Sequence, residues 1–437
     1  MANLRKYLSA SGLLSIIRKS FLKIPDQSKK EQRNRAKKIS LDDCLMSALA
    51  VFNMKCPSLL QFDIKSRLPV IAKNLRNLYG VKDVPCDTQM RERLDKIDPF
   101  HLSAAYKKIF AVAQRGKILE DFVYYQGHYL LSLDGTGQYQ SENVHCENCC
   151  VKQHKSGEVS YYHQMLGAVL VHPKKKQVIP LAPEPITKQD GATKNDCERN
   201  ASKRLLSRIR REHPHLKLIV VEDGLASNAP HINLLQELRL HYILGAKPDD
   251  HKYLFDWVLH SKCEVHTETD FDGTIHEYKF VNNVPLNDSN HEVRVNFLEY
   301  WEKKPNGKKQ HFSWVTDFSL HKSNVGLIMR GGRARWRIEN ETFNTLKNQG
   351  YNFEHNYGHG NENLCSVFTM LMVLAFLMDQ MQELCCSTYQ AARVAARTKY
   401  ELWEQMRSYF RLLEFESWEA YYNLIINAGQ FCFFNSS

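Results

Sequence analysis

Three acidic residues that lie far apart in the chain, Asp134, Asp223 and Glu339, have the type and setting to do chemistry together. Tyr124–Thr136, YYQGHYLLSLDGT, reads as a strand and delivers Asp134 at its end. Leu216–Gly224, LKLIVVEDG, repeats that construction and ends in Asp223. Strands of one sheet can carry such terminal carboxylates to a common edge, where open α/β sheets place their sites. Glu339 lies in Arg333–Lys347, RARWRIENETFNTLK, which reads as a helix with Trp336, Phe343 and Leu346 on an apolar stripe. Taken singly, an Asp-Gly at a strand end is a turn and Glu339 is one exposed helix charge. Taken together, three converging carboxylates repel unless cations sit between them, and hard divalent ions with oxygen ligands meet that need. Two such ions about 3.5–4 Å apart can hold the attacking and leaving oxygens of a phosphodiester displacement.

The strings LSLDGT, VVEDGLAS and RWRIENETFNTLK resemble the three acidic motifs of insertion-sequence transposases of the DDE type. These are the cut-and-paste group whose RNase H-like core is interrupted by a β-rich insertion, and the resemblance spans roughly residues 120 to 385. As in that family, an Arg (Arg335) stands four positions before the Glu, with Trp336 and Ile338 between. Two positions depart from the pattern. Gly332 stands where the family usually has Tyr, and Leu346 stands where it usually has Lys, the nearest being Lys347 one place later. That one place turns the side chain well off the face of Glu339 and keeps Glu341 as its rival.

The resemblance implies a DNA transposase that cleaves and joins strands at the inverted-repeat ends of a mobile element and at target DNA, as a homodimer. It implies two Mg2+ (or Mn2+) ions on Asp134, Asp223 and Glu339. Arg335, with an ion pair to Glu339 or a solvated charge as the alternative, and Lys347 are expected on DNA phosphates, and Trp301 or Trp314 on an unpaired base, against the alternative that both Trp residues are sheet core. A cleavage-deficient repressor of transposase descent and a stand-alone nuclease of the same fold fit the same residues.

At 437 residues the chain exceeds the usual single domain. Residues 1–115 are expected to form a basic helical DNA-binding region. Up to residue 40, Arg5, Lys6, Arg18, Lys19, Lys23, Lys29, Lys30, Arg33, Arg35, Lys37 and Lys38 face only Asp26 and Glu31, and Ser40 reads as a helix N-cap. Residues 116–250 form the first part of an RNase H-like core, with strands at Tyr161–Val171, Gln177–Ala182 and His241–Ala246 and helices at Asn200–Glu212 and Pro230–Leu240. Between Asp223 and Glu339 lie 339 − 223 = 116 positions, too many for one strand and one helix, and residues 251–324 read as a β-rich insertion. Residues 325–385 complete the core with the Glu segment, and residues 386–437 form a C-terminal helical region. The fold class is thus α/β, a mixed sheet flanked by helices.

A net charge of +11 suits a partner rich in phosphates. Twelve scattered cysteines and the opening Met-Ala-Asn-Leu-Arg-Lys, with no secretory pattern, suggest reduced thiols and a cytoplasmic, nucleoid-associated protein. The apolar run Leu364–Met378 is shorter than a membrane span and reads as a core helix. His145, Cys146, Cys149 and Cys150, with His154 and His163 after them, make half of a zinc pattern. Free thiols are the default there, because Cys197 or a histidine would have to be recruited by the fold to complete a structural zinc at Cys146 and Cys149. Glu184, Asp196 and Glu198 are expected at the surface or behind the site. No phosphate-binding glycine loop and no Gly-x-Ser-x-Gly elbow is present.

Overall fold

In the computed structural model, which describes residues 2–26, 39–188 and 195–428, the Asp134 strand runs through the middle of a mixed sheet. The expected basic positions from Lys29 to Lys38 lie outside the described residues. In chain order the strands are β1 Val123–Tyr125, β2 His128–Ser141, β3 Cys150–Gln153, β4 Val159–Val171, β5 Ile179–Pro180 and β6 Glu184–Ile186. They continue with β7 Leu218–Glu222, β8 His241–Gly245, β9 Glu264–Thr269, β10 Ile275–Pro285, β11 Arg294–Lys303 and β12 Lys309–Thr316. The main path is β3-β4-β2-β7-β8-β12-β11-β10-β9, with β1 beside β2 and with β5 and β6 beside β4. Only β2–β7 and β7–β8 pair parallel among the described strands. β7 is buried along its whole length, as a parallel strand covered on both faces must be.

Two sequence expectations change. The strand expected at 177–182 shrinks to Ile179–Pro180, because a proline has no N–H with which to extend a ladder. The β-rich stretch does form an antiparallel meander, but β12 pairs with β8 through Trp314↔Gly245 and Thr316↔Ile243, so the meander continues the central sheet.

Helices flank the sheet. Ser40 caps Leu41–Asn53 by accepting a hydrogen bond from the Asp43 amide at 3.2 Å. That helix packs on Leu364–Cys385, whose apolar window is long enough to cross a membrane but is entirely buried within the protein. Leu13, Leu45 and Leu49 from the N-terminal helices share one hydrophobic cluster with Leu130, Ile219 and Phe376.

A buried charge pair sits inside this cluster. The Lys55 ammonium is fully enclosed, ion-paired with Asp379 on the core helix, and it donates to the Asn53 carbonyl at 2.9 Å. It lies 3.9 Å from the centre of the Trp403 ring and 4.2 Å from that of Tyr351. Tyr351 also donates to Asp379, and Tyr79 donates to Asn53 at 2.7 Å. Burial pulls the Lys55 pKa down and Asp379 opposes it. Removing one partner of such a pair leaves a desolvated charge, so Asp379→Ala should lower the unfolding free energy by about 3–5 kcal/mol. Urea denaturation measures this, and a loss under about 1 kcal/mol would show that the pair carries no such strain.

Candidate active site

The pairing of β2 with β7 sets the level of the first two acids. Tyr129 faces Leu218 and Ser132 faces Val221, an offset of 218 − 129 = 89, and 223 − 134 gives the same offset. The expected strand Tyr124–Thr136 instead turns at Gln126-Gly127 from β1 into β2, so Asp134 lies midway along β2 and Asp223 follows the last residue of β7, and the shared register carries the two to one level. Past that point β7 stops: the Asp223 carboxylate accepts a hydrogen bond from the Leu225 amide at 3.0 Å and caps the short turn Gly224–Ala226.

Glu339 arrives on a separate segment packed against the sheet face that carries the Asp134 side chain. The helix Val325–Arg333 is followed by a loose turn and then by Ile338–Phe343, which is wound as a π-helix. Such a turn closes i to i+5 and often marks functional sites. It lets Ile338 and Phe343, five residues apart, both press on Gly167, where an added Cβ would lie 3.0 Å from the Phe343 ring. Gly167 is the β4 residue paired with Asp134, so the absence of a side chain there lets the Glu segment settle beside the acid. The widened turn also corrects the expected apolar stripe. Phe343 and Leu346 are buried, but Ile338 takes the third place and Trp336 is 49% exposed.

Arg335 links the two acids. Its Nη1 lies 3.1 Å from Asp134 Oδ2 and 2.8 Å from Glu339 Oε1, and its carbonyl accepts from Ser132 Oγ on β2 at 3.1 Å. Glu341 instead pairs with Arg337 at 2.9 Å. Of the two rival glutamates, Glu339 is the one brought to Asp134.

A fourth carboxylate joins them. Glu198, in the first turn of the helix Glu198–Glu212, lies over Gly135, so close that a Cβ there would sit 2.1 Å from its Oε1. Burial raises its pKa, and Asp223 and Glu222 raise it further. Its role was not legible in the sequence, where it is one acid among three between strands. The other two are buried in ion pairs, Glu184 with Arg204 at 2.7 Å and Arg208 at 3.0 Å, and Asp196 with Arg204 at 2.5 Å.

The residues expected on DNA divide. Trp314 is only 5% exposed and its indole covers Gly332, so no face of it is free for a base. That close approach explains the departure at 332, because a Cβ there would meet Trp314 Nε1 at 2.4 Å. Trp301 is half-buried and stacks on His311 with ring centres 5.0 Å apart. Lys347 pairs with Glu354 at 2.7 Å. The exposed Trp336 lines a groove of about 530 Å3 between the Glu segment and the meander, together with Arg330, Arg333 and Arg337. A larger cleft of about 910 Å3 lies apart from the acids and carries Lys65, Lys176, Arg393, Arg397, Arg407 and Arg411.

Burial perturbs Asp134 most among these acids. Burial pushes its pKa up to about 7, Arg335 opposes this, and Glu339 and Glu198 add to it. An acid whose pKa rises on folding holds more protons folded than unfolded, so its ionisation costs stability progressively from about pH 4 to about pH 7. A divalent cation offsets that cost only while the carboxyl is ionised. Mg2+ should therefore raise Tm more at pH 8 than at pH 5.5, and Asp134→Asn should abolish the difference. Equal shifts at both pH values in thermal unfolding would place the cation elsewhere.

No family model and no curated protein matches the chain. Among solved structures, the piggyBac transposase in a synaptic complex with hairpin DNA aligns over 100% of this chain and 86% of that one, with 12% identity and a TM-score of 0.40. A likeness at that score fixes neither fold nor function.

Proposed function

We propose that the chain is a DNA transposase of the DDE type with an RNase H-like core, and that it cleaves and transfers DNA strands at the ends of a mobile element. The observation that carries this reading is the meeting of acids from three parts of the chain. Asp134 and Asp223 are level on parallel strands, and Glu339 is bridged to Asp134 by Arg335. The strand order β3-β4-β2-β7-β8, with β2, β7 and β8 parallel, supports the RNase H-like assignment.

The chemistry of the donors is the kind that hard divalent ions take. They are carboxylate oxygens, and a guanidinium already lies between two of them, which marks a place that needs positive charge. Asp134, Asp223 and Glu339 would hold the Mg2+ ions. When bound, the ions supply a nucleophile activated at neutral pH and charge neutralisation at the leaving oxygen.

The chain's own residues do the rest. Glu198 adds a further carboxylate beside Asp134, Asp223 and Glu339, and Arg335 turns from carboxylate to a phosphate near the cut. Trp336 and the arginines of the adjoining groove hold the DNA end, and the basic cleft tracks the flanking backbone. Two copies act together on paired ends.

Asp134→Asn and Asp223→Asn should each abolish Mg2+-dependent cleavage of a cognate end while leaving DNA binding intact. Glu339→Gln should be inactive and Glu341→Gln active, and the reverse result would move the third ligand. A strand-transfer assay separates a transposase from a nuclease that only cuts. A wild-type chain that binds DNA but never cuts would identify a repressor. In the large cleft, Arg393→Ala combined with Arg407→Ala should weaken binding evenly across DNA sequences. The slope of log K against log salt should fall by about 0.9 for every phosphate that no longer meets an arginine. An unchanged slope in binding titrations would remove the cleft from the DNA path.

A further inference from the structure

Outside the acidic site, two cysteines and two histidines form a compact buried group. Cys146 and Cys149 lie in the connection between β2 and β3, and His163 lies on β4. His359 comes from the loop between the Glu segment and the core helix. Their four ligand atoms all lie within 4.8 Å of one another. The two sulfurs are 3.8 Å apart, Cys146 Sγ is 3.3 Å from His163 Nε2, and Cys149 Sγ is 3.1 Å from His359 Nε2. From these residues we infer that the chain has a structural zinc site of the Cys2His2 type, separate from the acids and filled by one Zn2+ per chain.

The separations agree with the geometry of that ion. A tetrahedron with Zn–S bonds of about 2.3 Å has an S···S edge of about 3.8 Å, and with Zn–N near 2.0–2.1 Å its S···N edges are about 3.5 Å. The observed 3.8, 3.3 and 3.1 Å need only small adjustments. The same sulfurs are far too distant for a disulfide bond, and both cysteines are free.

Charge points the same way. Two thiolates and two neutral imidazoles around Zn2+ give a site with no net charge, which suits four buried side chains. Four protein ligands leave no open position, the mark of a structural rather than a catalytic centre.

The neighbouring ligand types are turned elsewhere. Cys150 donates to the Ile186 carbonyl, His154 bonds Ser160 at 2.9 Å, His145 stacks on Tyr161, and Cys197 is exposed. The fold thus picks three ligands from the cysteine-rich string and takes the fourth from a loop 210 positions beyond Cys149.

That loop is gripped from a second side. The Asp95 carboxylate accepts hydrogen bonds from the amides of Asn361, Glu362, Asn363 and Leu364 at 2.9 to 3.0 Å. Asn148, between the two cysteines, donates to the Glu362 carbonyl at 2.7 Å. Zinc would fasten the β2–β3 connection, β4 and the exit of the Glu segment into one unit.

The test uses the full chain and does not read DNA cleavage, so its outcome is independent of the transposase assignment. Purified without chelator, the protein should carry about one zinc per chain by elemental analysis. After removal of zinc, Co2+ should give the intense visible bands of a tetrahedral ion together with thiolate charge transfer. Cys149→Ser and His359→Ala should each lose the stoichiometric metal, while His355→Ala, in the same loop, should keep it. The inference is overturned if the wild-type chain neither carries nor takes up zinc, if its Co2+ spectrum is octahedral, or if both ligand variants retain full zinc. The wild-type Co2+ spectrum decides the matter even if a variant fails to fold.

Discussion

Like charge is the constraint around which the centre of this molecule is built. Parallel pairing of β2 and β7 puts Asp134 and Asp223 at one level, and the Glu segment and the helix Glu198–Glu212 each add a carboxylate. Two unit charges 4 Å apart in a partly shielded setting repel by about 4 kcal/mol, so the cluster persists only with positive charge inside it or with a proton on one member. Both answers are visible: Arg335 reaches two of the acids, and burial, with Glu339 and Glu198 adding to it, lifts the Asp134 pKa towards neutrality. Under the proposed function, a cation held there would remove the cost where it arises.

Room for that crowd comes from missing side chains. Gly135 leaves the space that Glu198 fills, Gly167 lets Phe343 and Ile338 reach the sheet, and Gly332 accepts the Trp314 indole. None of the three is required by a left-handed backbone, because each is a point of close approach. A methyl group at 167 or 332 would push the Glu segment off the sheet and move Glu339 away from Asp134. The unusual helical winding acts with these glycines, since a regular helix would point Phe343 away from the face that Ile338 buries.

The sequence made the two Asp strands legible because their signal is local, an apolar run leading to an acid, but only β7 stops there, whereas β2 runs on to Ser141 because its pairing with β4 continues. Local signals likewise made Ser40 legible as a cap and Leu364–Cys385 as a core helix. Trp336 groups with Phe343 and Leu346 only if every turn has 3.6 residues, and the wider turn at Ile338–Phe343 puts those later residues out of phase with it. Trp314 was a candidate for DNA because a strand tryptophan carries no mark of which face is covered, and the partner that covers it, Gly332, is itself a departure from the motif. Glu198 and His359 could not be found in this way. Each gains its meaning from residues more than 60 positions away, Glu198 from Gly135 and His359 from Cys149.

The nine residues from 331 to 339 show how the parts depend on one another. Within that span Gly332 takes the indole of β12, and Arg333 pairs with Glu302 of β11 at 2.7 Å and lies over the Phe312 ring. Arg335 holds Asp134, and Glu339 completes the bridge. The meander and the acidic centre thus share one short support whose packing admits few arrangements. Because β12 is hydrogen-bonded to β8, which is in turn parallel to the Asp223 strand, the meander is tied to the acids by two routes, one through the helix and one through the sheet. The groove between meander and helix is therefore built on the same backbone that sets the carboxylates.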